Sequence, residues 1–97
     1  MKKKFKNLSD VRKSIDNVDD RLVRLVAERE SYAREALKFK KNKKEIVDKK
    51  RIKIVLRRIK SLSKKYKISS LITERIWKVM IQNFITLENK LFKRTKK

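Results

Sequence analysis

Leu8-Ser-Asp-Val11-Arg12-Lys-Ser-Ile15-Asp-Asn-Val18-Asp-Asp-Arg-Leu22-Val-Arg-Leu25-Val-Ala-Glu-Arg29 sets the architecture of this chain. Apolar residues recur at alternating spacings of three and four, at Leu8, Val11, Ile15, Val18, Leu22 and Leu25. The same phase then continues through Arg29, Tyr32, Ala36 and Phe39. That periodicity is the seam of a long α-helix. Arg29 stands where the seam calls for an apolar residue, and a guanidinium cannot deprotonate to suit a dry surface. It must therefore be ion-paired, snorkel at the seam edge, or face an anion that enters the interior.

Asn7 or Ser9 is placed to cap this helix, and the pattern predicts that it runs to about Lys41. Some 33 residues make a helix of roughly 50 Å. A compact globule of this chain length has a radius of gyration of only about 12 to 13 Å, so the helix overhangs its own domain. Val23, Val26 and Leu37 widen the stripe and call for a second body, which a homodimer supplies. After a polar connection from Lys40 to Glu45, Asp48 is placed to cap a second helix with the stripe Ile52, Val55, Ile59, Leu62 and Tyr66. Ser69 caps a third, whose stripe includes Ile76, Met80 or Ile81, Phe84, Glu88 and Leu91 and which frays into Lys93 to Lys97. The expectation is an all-α chain of one long and two shorter helices. It forms a single domain over residues 1–97, with its core at about 8–92 and basic tails at 1–6 and 93–97.

Composition narrows the chemistry. The 97 residues contain no Gly, Pro, Cys or His. Without Gly and Pro there are no phosphate-cradling glycine loops and few tight turns. Without Cys and His there is no disulfide, thiolate nucleophile or imidazole base, and no metal site is expected. Carboxylates, Arg, Lys, hydroxyls and amides are what remain. The start Met1-Lys-Lys-Lys-Phe5 resembles the basic region of a signal peptide, but no apolar run follows. No stretch is long and apolar enough for a transmembrane helix, so the expectation is a cytoplasmic protein with no membrane partner. The formal charge of +21 raises nucleic acid as a partner. Lysines nevertheless read as spread over both termini, the connection and the outer faces of every helix, with no recognition motif. That pattern suits a solvated surface and disfavours specific nucleic-acid binding.

A smaller constellation is more informative. On one continuous helix Arg29 and Lys40 are three turns apart, within about 20° of alignment and about 16 Å along the axis. Together they bracket a small molecule. Arg12 precedes Arg29 by seventeen residues, roughly 25 Å, and faces away, so an antiparallel partner helix would have to deliver it. Arg51 follows a connection short enough to return it toward the end of helix 1. Four cations converging on one pocket require a dianion. Glu88, on the apolar stripe of helix 3, favours its neutral form there unless a cation compensates. It then either lies in the pocket, where its protonated form donates a hydrogen bond, or sits at the rim against a lysine.

These residues, in this order, resemble the all-α (AroQ-type) chorismate mutases. The likeness covers about residues 8 to 92 and includes Leu8 to Asp19, Leu22 to Arg29, Tyr32 to the Lys38-Phe39-Lys40 end, Asp48-Lys-Lys-Arg51, and Ile76 to Glu88. The resemblance implies an intertwined homodimeric helical bundle, each site taking Arg12 from one chain and Arg29, Lys40 and Arg51 from the other. Arg12 and Arg29 would hold the two carboxylates of chorismate. Lys40 would contact the ether oxygen of the breaking bond, and Arg51 would assist. The reaction implied is the pericyclic rearrangement of chorismate to prephenate, which needs no nucleophile, metal or cofactor.

Glu88 stands where the family commonly carries Gln, whose amide donates to the ether oxygen, so its activity is expected to fall as pH rises. Ile52 stands where typical mutases carry a Glu that binds the ring hydroxyl. With Phe84 it resembles the isochorismate pyruvate lyases of the same subgroup, which yield salicylate and pyruvate. The connection before Asp48, which joins the substrate-binding set, is also slightly short. Mutase activity is the first expectation and lyase activity the second. The third is a non-enzymatic basic helical protein that binds nucleic acid or an acidic partner.

Overall fold

The computed structural model describes residues 4–95, and the tail positions 1–3 and 96–97 named above lie outside them. Three α-helices and one short 3-10 turn follow in order: α1 (Leu8–Leu37), the turn Lys43–Glu45, α2 (Lys49–Lys65) and α3 (Ser70–Thr95). There is no strand among the described residues, so the all-α expectation holds. The chain divides into two compact units, one up to Tyr32 and one from Ala33 onward.

The first unit is the bulk of α1. Its N-terminus is capped by Asn7, whose Oδ1 accepts a hydrogen bond from the Asp10 amide at 2.9 Å, so Asn7 rather than Ser9 does this work. Asp10, in the first turn, also accepts from the Lys6 amide. The seam is in phase but uncovered: Leu8, Ile15, Val18, Leu22 and Leu25 are 41–60% exposed. Within the described chain this stripe contributes little burial.

The second unit holds the core. α1 ends at Leu37, not near Lys41 as its pattern suggested. The amides of Lys38, Phe39 and Lys40 bond back to the carbonyls of Glu35, Ala36 and Leu37, an i to i−3 pattern that tightens the helix and stops it. Phe39 is consequently off the seam and 83% exposed. The connection is then built by its own side chains. Glu45 accepts from the amides of Lys41 and Asn42, and Asn42 in turn caps the 3-10 turn. Ile46 is the anchor, 4% exposed and packed with Leu37 and Phe92 in a cluster flanked by Ile85 and Leu91.

α2 begins as expected, with Asp48 Oδ1 accepting from the Arg51 amide at 3.0 Å. It packs on α3 through buried Ile59 and Ser63; the Ser63 hydroxyl bonds the Ile59 carbonyl and meets Thr73 Oγ1. Tyr66 leaves the stripe, because it is the C-cap and is 68% exposed. The turn after it is a Schellman motif: Ile68 N bonds Ser63 O, Lys67 N bonds Lys64 O, and Lys67 takes φ 57°, the left-handed conformation a glycine would favour. Ser69 precedes α3 and accepts from Ile72 and Thr73 through its carbonyl. α3 stays helical to Thr95, so the fraying expected from Lys93 is absent among the described residues.

With these bounds every helix carries basic residues, but the net charge is uneven between them. α1 carries seven acidic and six basic residues, whereas α2 carries nine basic residues and no acid.

Candidate functional site

The second unit brings Lys40 and Glu88 together. Lys40 Nζ lies 2.9 Å from Glu88 Oε1, with the two side chains 23% and 9% exposed. The reason is local. Leu37 and Phe92 meet in the core, Lys40 follows Leu37 by one tight turn, and Glu88 precedes Phe92 by one turn of α3, on the same helix face. The two alternatives for Glu88 resolve into a third arrangement. It is buried rather than at a rim, and the lysine that compensates it is the one expected to serve the ligand. No buried side-chain nitrogen or oxygen among the described residues lacks a partner.

Lys40 itself lies in the connection, three residues beyond α1, so the phase argument that aligned it with Arg29 on one helix does not apply. Its position is instead set by the i to i−3 bonds that close the end of α1 behind it and by the Ile46 anchor ahead of it. Asp48 is committed to the N-terminus of α2, and Arg51, one turn in, is exposed. Ile52 on α2 and Phe84 on α3 are half-buried, and Phe84 lies one turn before Glu88. An open depression of about 580 Å³ takes in Lys40 and Asp48 together with Phe39, Lys44, Lys49 and Lys50. Lys44 is an addition that the sequence signalled only as part of a lysine-rich connection, and Lys49 and Lys50 stood in the Asp48-Lys-Lys-Arg51 segment with no role of their own. Glu45 and Val47, which also line it, carried no signal of their own.

Arg12 and Arg29 belong to the first unit. Arg12 is exposed and Arg29 half-buried. On the continuous helix the seventeen-residue step from one to the other spans about 25 Å and turns them to different faces, so one chain does not present both to one small ligand. No group of acidic residues among the described residues is arranged to hold a metal ion. No helix there is long and apolar enough to cross a membrane.

Fold and site together define an all-helical protein with a cationic site built on a helix end and a connection rather than on a glycine loop. Residues 11–89 match the sequence profile of the chorismate mutase type II family, and the chain belongs to that family. It is similar to the chorismate mutase of Methanocaldococcus jannaschii, with 28% identity over 92 residues that cover 94% of this chain and 93% of the relative. The matched region spans Arg12, Arg29, Lys40, Asp48, Arg51, Ile52, Phe84 and Glu88.

Proposed function

We propose that the protein is a chorismate mutase that works as a homodimer. Arg12 of one chain completes a site formed by Arg29, Lys40 and Arg51 of the other. The observation that carries this reading is the Lys40–Glu88 pair, a largely buried cation held within the family-matched region. The uncovered α1 seam supports the dimer, because five apolar residues 41–60% exposed on one stripe need a partner surface.

In the rearrangement the ether C–O bond breaks as a C–C bond forms between the enolpyruvyl arm and the ring. Six electrons move in one cyclic transition state, and no proton or leaving group departs. The protein has two tasks. Arg12 and Arg29 grip the carboxylates and hold the arm over the ring. Lys40 places positive charge against the ether oxygen as that oxygen becomes negative, and Arg51 reinforces the field. Glu88 donates to the same oxygen only in its protonated form. As a carboxylate it competes with substrate for Lys40.

A second reading, elimination of pyruvate from isochorismate, is favoured by Ile52 and Phe84, which put half-buried apolar surface where a hydroxyl-binding carboxylate would suit chorismate. Purified protein given chorismate and isochorismate side by side separates the readings. Prephenate as the dominant product establishes the mutase, dominant salicylate the lyase, and neither product removes both.

A further inference from the structure

We propose that the outer face of α2 is a docking surface for duplex nucleic acid, contacted through phosphates and without sequence preference. The charge distribution leads to it. The bases of α1 are outnumbered by its acids, seven to six, and Arg24 is answered by Asp20 at 2.8 Å. The nine bases of Lys49–Lys65 have no acid within their own helix, and none of them is in an ion pair among the described residues. Five form a single row, Lys49, Lys53, Arg57, Lys60 and Lys64, and all five are exposed. Spacings of four, four, three and four residues keep the row within an arc of about 80° and a length of about 22 Å.

The row breaks two local rules. Like charges one turn apart repel. Lys49, Lys50 and Arg51 also crowd the positive end of the helix dipole, with no acid in the first turn. The Asp48 cap offsets this in part. α3 has two acids, Glu74 and Glu88, and Glu88 is committed to Lys40. Repulsion along the row, which no ion pair among the described residues relieves, points to a partner outside the fold, and a polyanion relieves it, whereas Lys49 and Lys50 at the helix start also border the candidate site.

The surroundings of the row select the polyanion. An interfacial membrane helix needs its apolar side free to insert, whereas that side of α2 is committed to α3 through Ile59 and Ser63. No aromatic residue interleaves the row, as stacking on single strands would require. No Asn or Gln occurs in α2 to read base edges. What remains is a ladder of cations at intervals of about 5 to 6 Å, suited to phosphates and blind to sequence.

The test is binding of the full chain to a 20-base-pair duplex of arbitrary sequence, followed by fluorescence anisotropy across salt concentration. A Lys53→Gln/Arg57→Gln/Lys60→Gln variant should bind more weakly and lower the slope of log K against log salt by about 2.7, the loss of three phosphate contacts. A matched α1 variant, Lys13→Gln/Arg21→Gln/Arg24→Gln, should leave the slope where it was. Far-ultraviolet circular dichroism checks that both are helical, and a Lys53→Arg/Lys60→Arg variant, which keeps the charge, should bind as the parent does. Four outcomes overturn the proposal: no duplex binding at about 50 mM salt, an unchanged slope in the α2 variant, an equal loss in the α1 variant, or displacement of the duplex by phosphatidylserine vesicles at matched charge. Turnover of chorismate by the α2 variant is read separately and should be unchanged, so failure here leaves the proposed catalytic site standing.

Discussion

Lys40 and Glu88 oppose each other within the site. A buried carboxylate at 2.9 Å holds the cation in place, and the same carboxylate spends part of the charge that catalysis would use. Lys40→Ala should therefore lower kcat by about 10² to 10³, measured as prephenate formation at saturating chorismate. Arg29→Ala is expected to fall in the same range but chiefly through KM, because it grips a carboxylate in ground and transition states alike. Glu88→Gln tests the other partner. An amide forms no ion pair with Lys40 and can donate to the ether oxygen, so the variant should form prephenate faster than wild type at saturating chorismate. An unchanged kcat would remove Glu88 from the mechanism. Sequence periodicity marked Glu88 as out of place on an apolar stripe, and helical spacing set Lys40 in line with Arg29, but the pairing of Lys40 with Glu88 depends on a contact 48 residues apart that no local pattern encodes.

At the scale of elements, the connection between α1 and α2 decides where Lys40 sits. Ile46 fills the core against Leu37 and Phe92, so truncating it loosens both the cluster and the turn that carries the lysine. Ile46→Ala should cost about 2 to 5 kcal/mol in urea unfolding and lower kcat beyond the loss of folded protein. The Schellman turn after α2 gives an opposite expectation. Lys67 holds φ 57° with a Cβ that disfavours it, so Lys67→Gly should raise stability by about 0.5 to 1 kcal/mol, seen as a higher urea midpoint with unchanged slope. The caps at Asn7 and Asp48 were legible in the sequence because a cap is a contact over three residues. The end of α1 was not. Lys38, Phe39 and Lys40 are all helix-permissive, no Gly or Pro marks a stop, and the helix ends there as Ile46 folds back onto it.

For the whole molecule, the exposed α1 seam and the separation of Arg12 from Arg29 on one helix are the two features on which the proposed sharing of a site between chains rests. Sedimentation should find a dimer, and Leu22→Glu/Leu25→Glu should abolish it together with activity. A sharper test mixes two inactive variants. Arg12→Ala and Lys40→Ala chains refolded together should recover about a quarter of wild-type activity, since half the dimers are mixed and each mixed dimer has one intact site. A site contained in one chain would recover none.

The sequence by itself determined the all-helical class, the phase of the α1 seam, two of the caps and the set of cations and carboxylates from which a site could be made. Each of these follows from spacing along a helix or from which residue types are present and absent, both short-range properties. Only the tertiary structure decided where α1 stops, that Ile46 anchors the connection, and that Glu88 is buried against Lys40. Those depend on which surfaces exclude water when distant segments meet, and burial is a property of the packed chain rather than of any window within it.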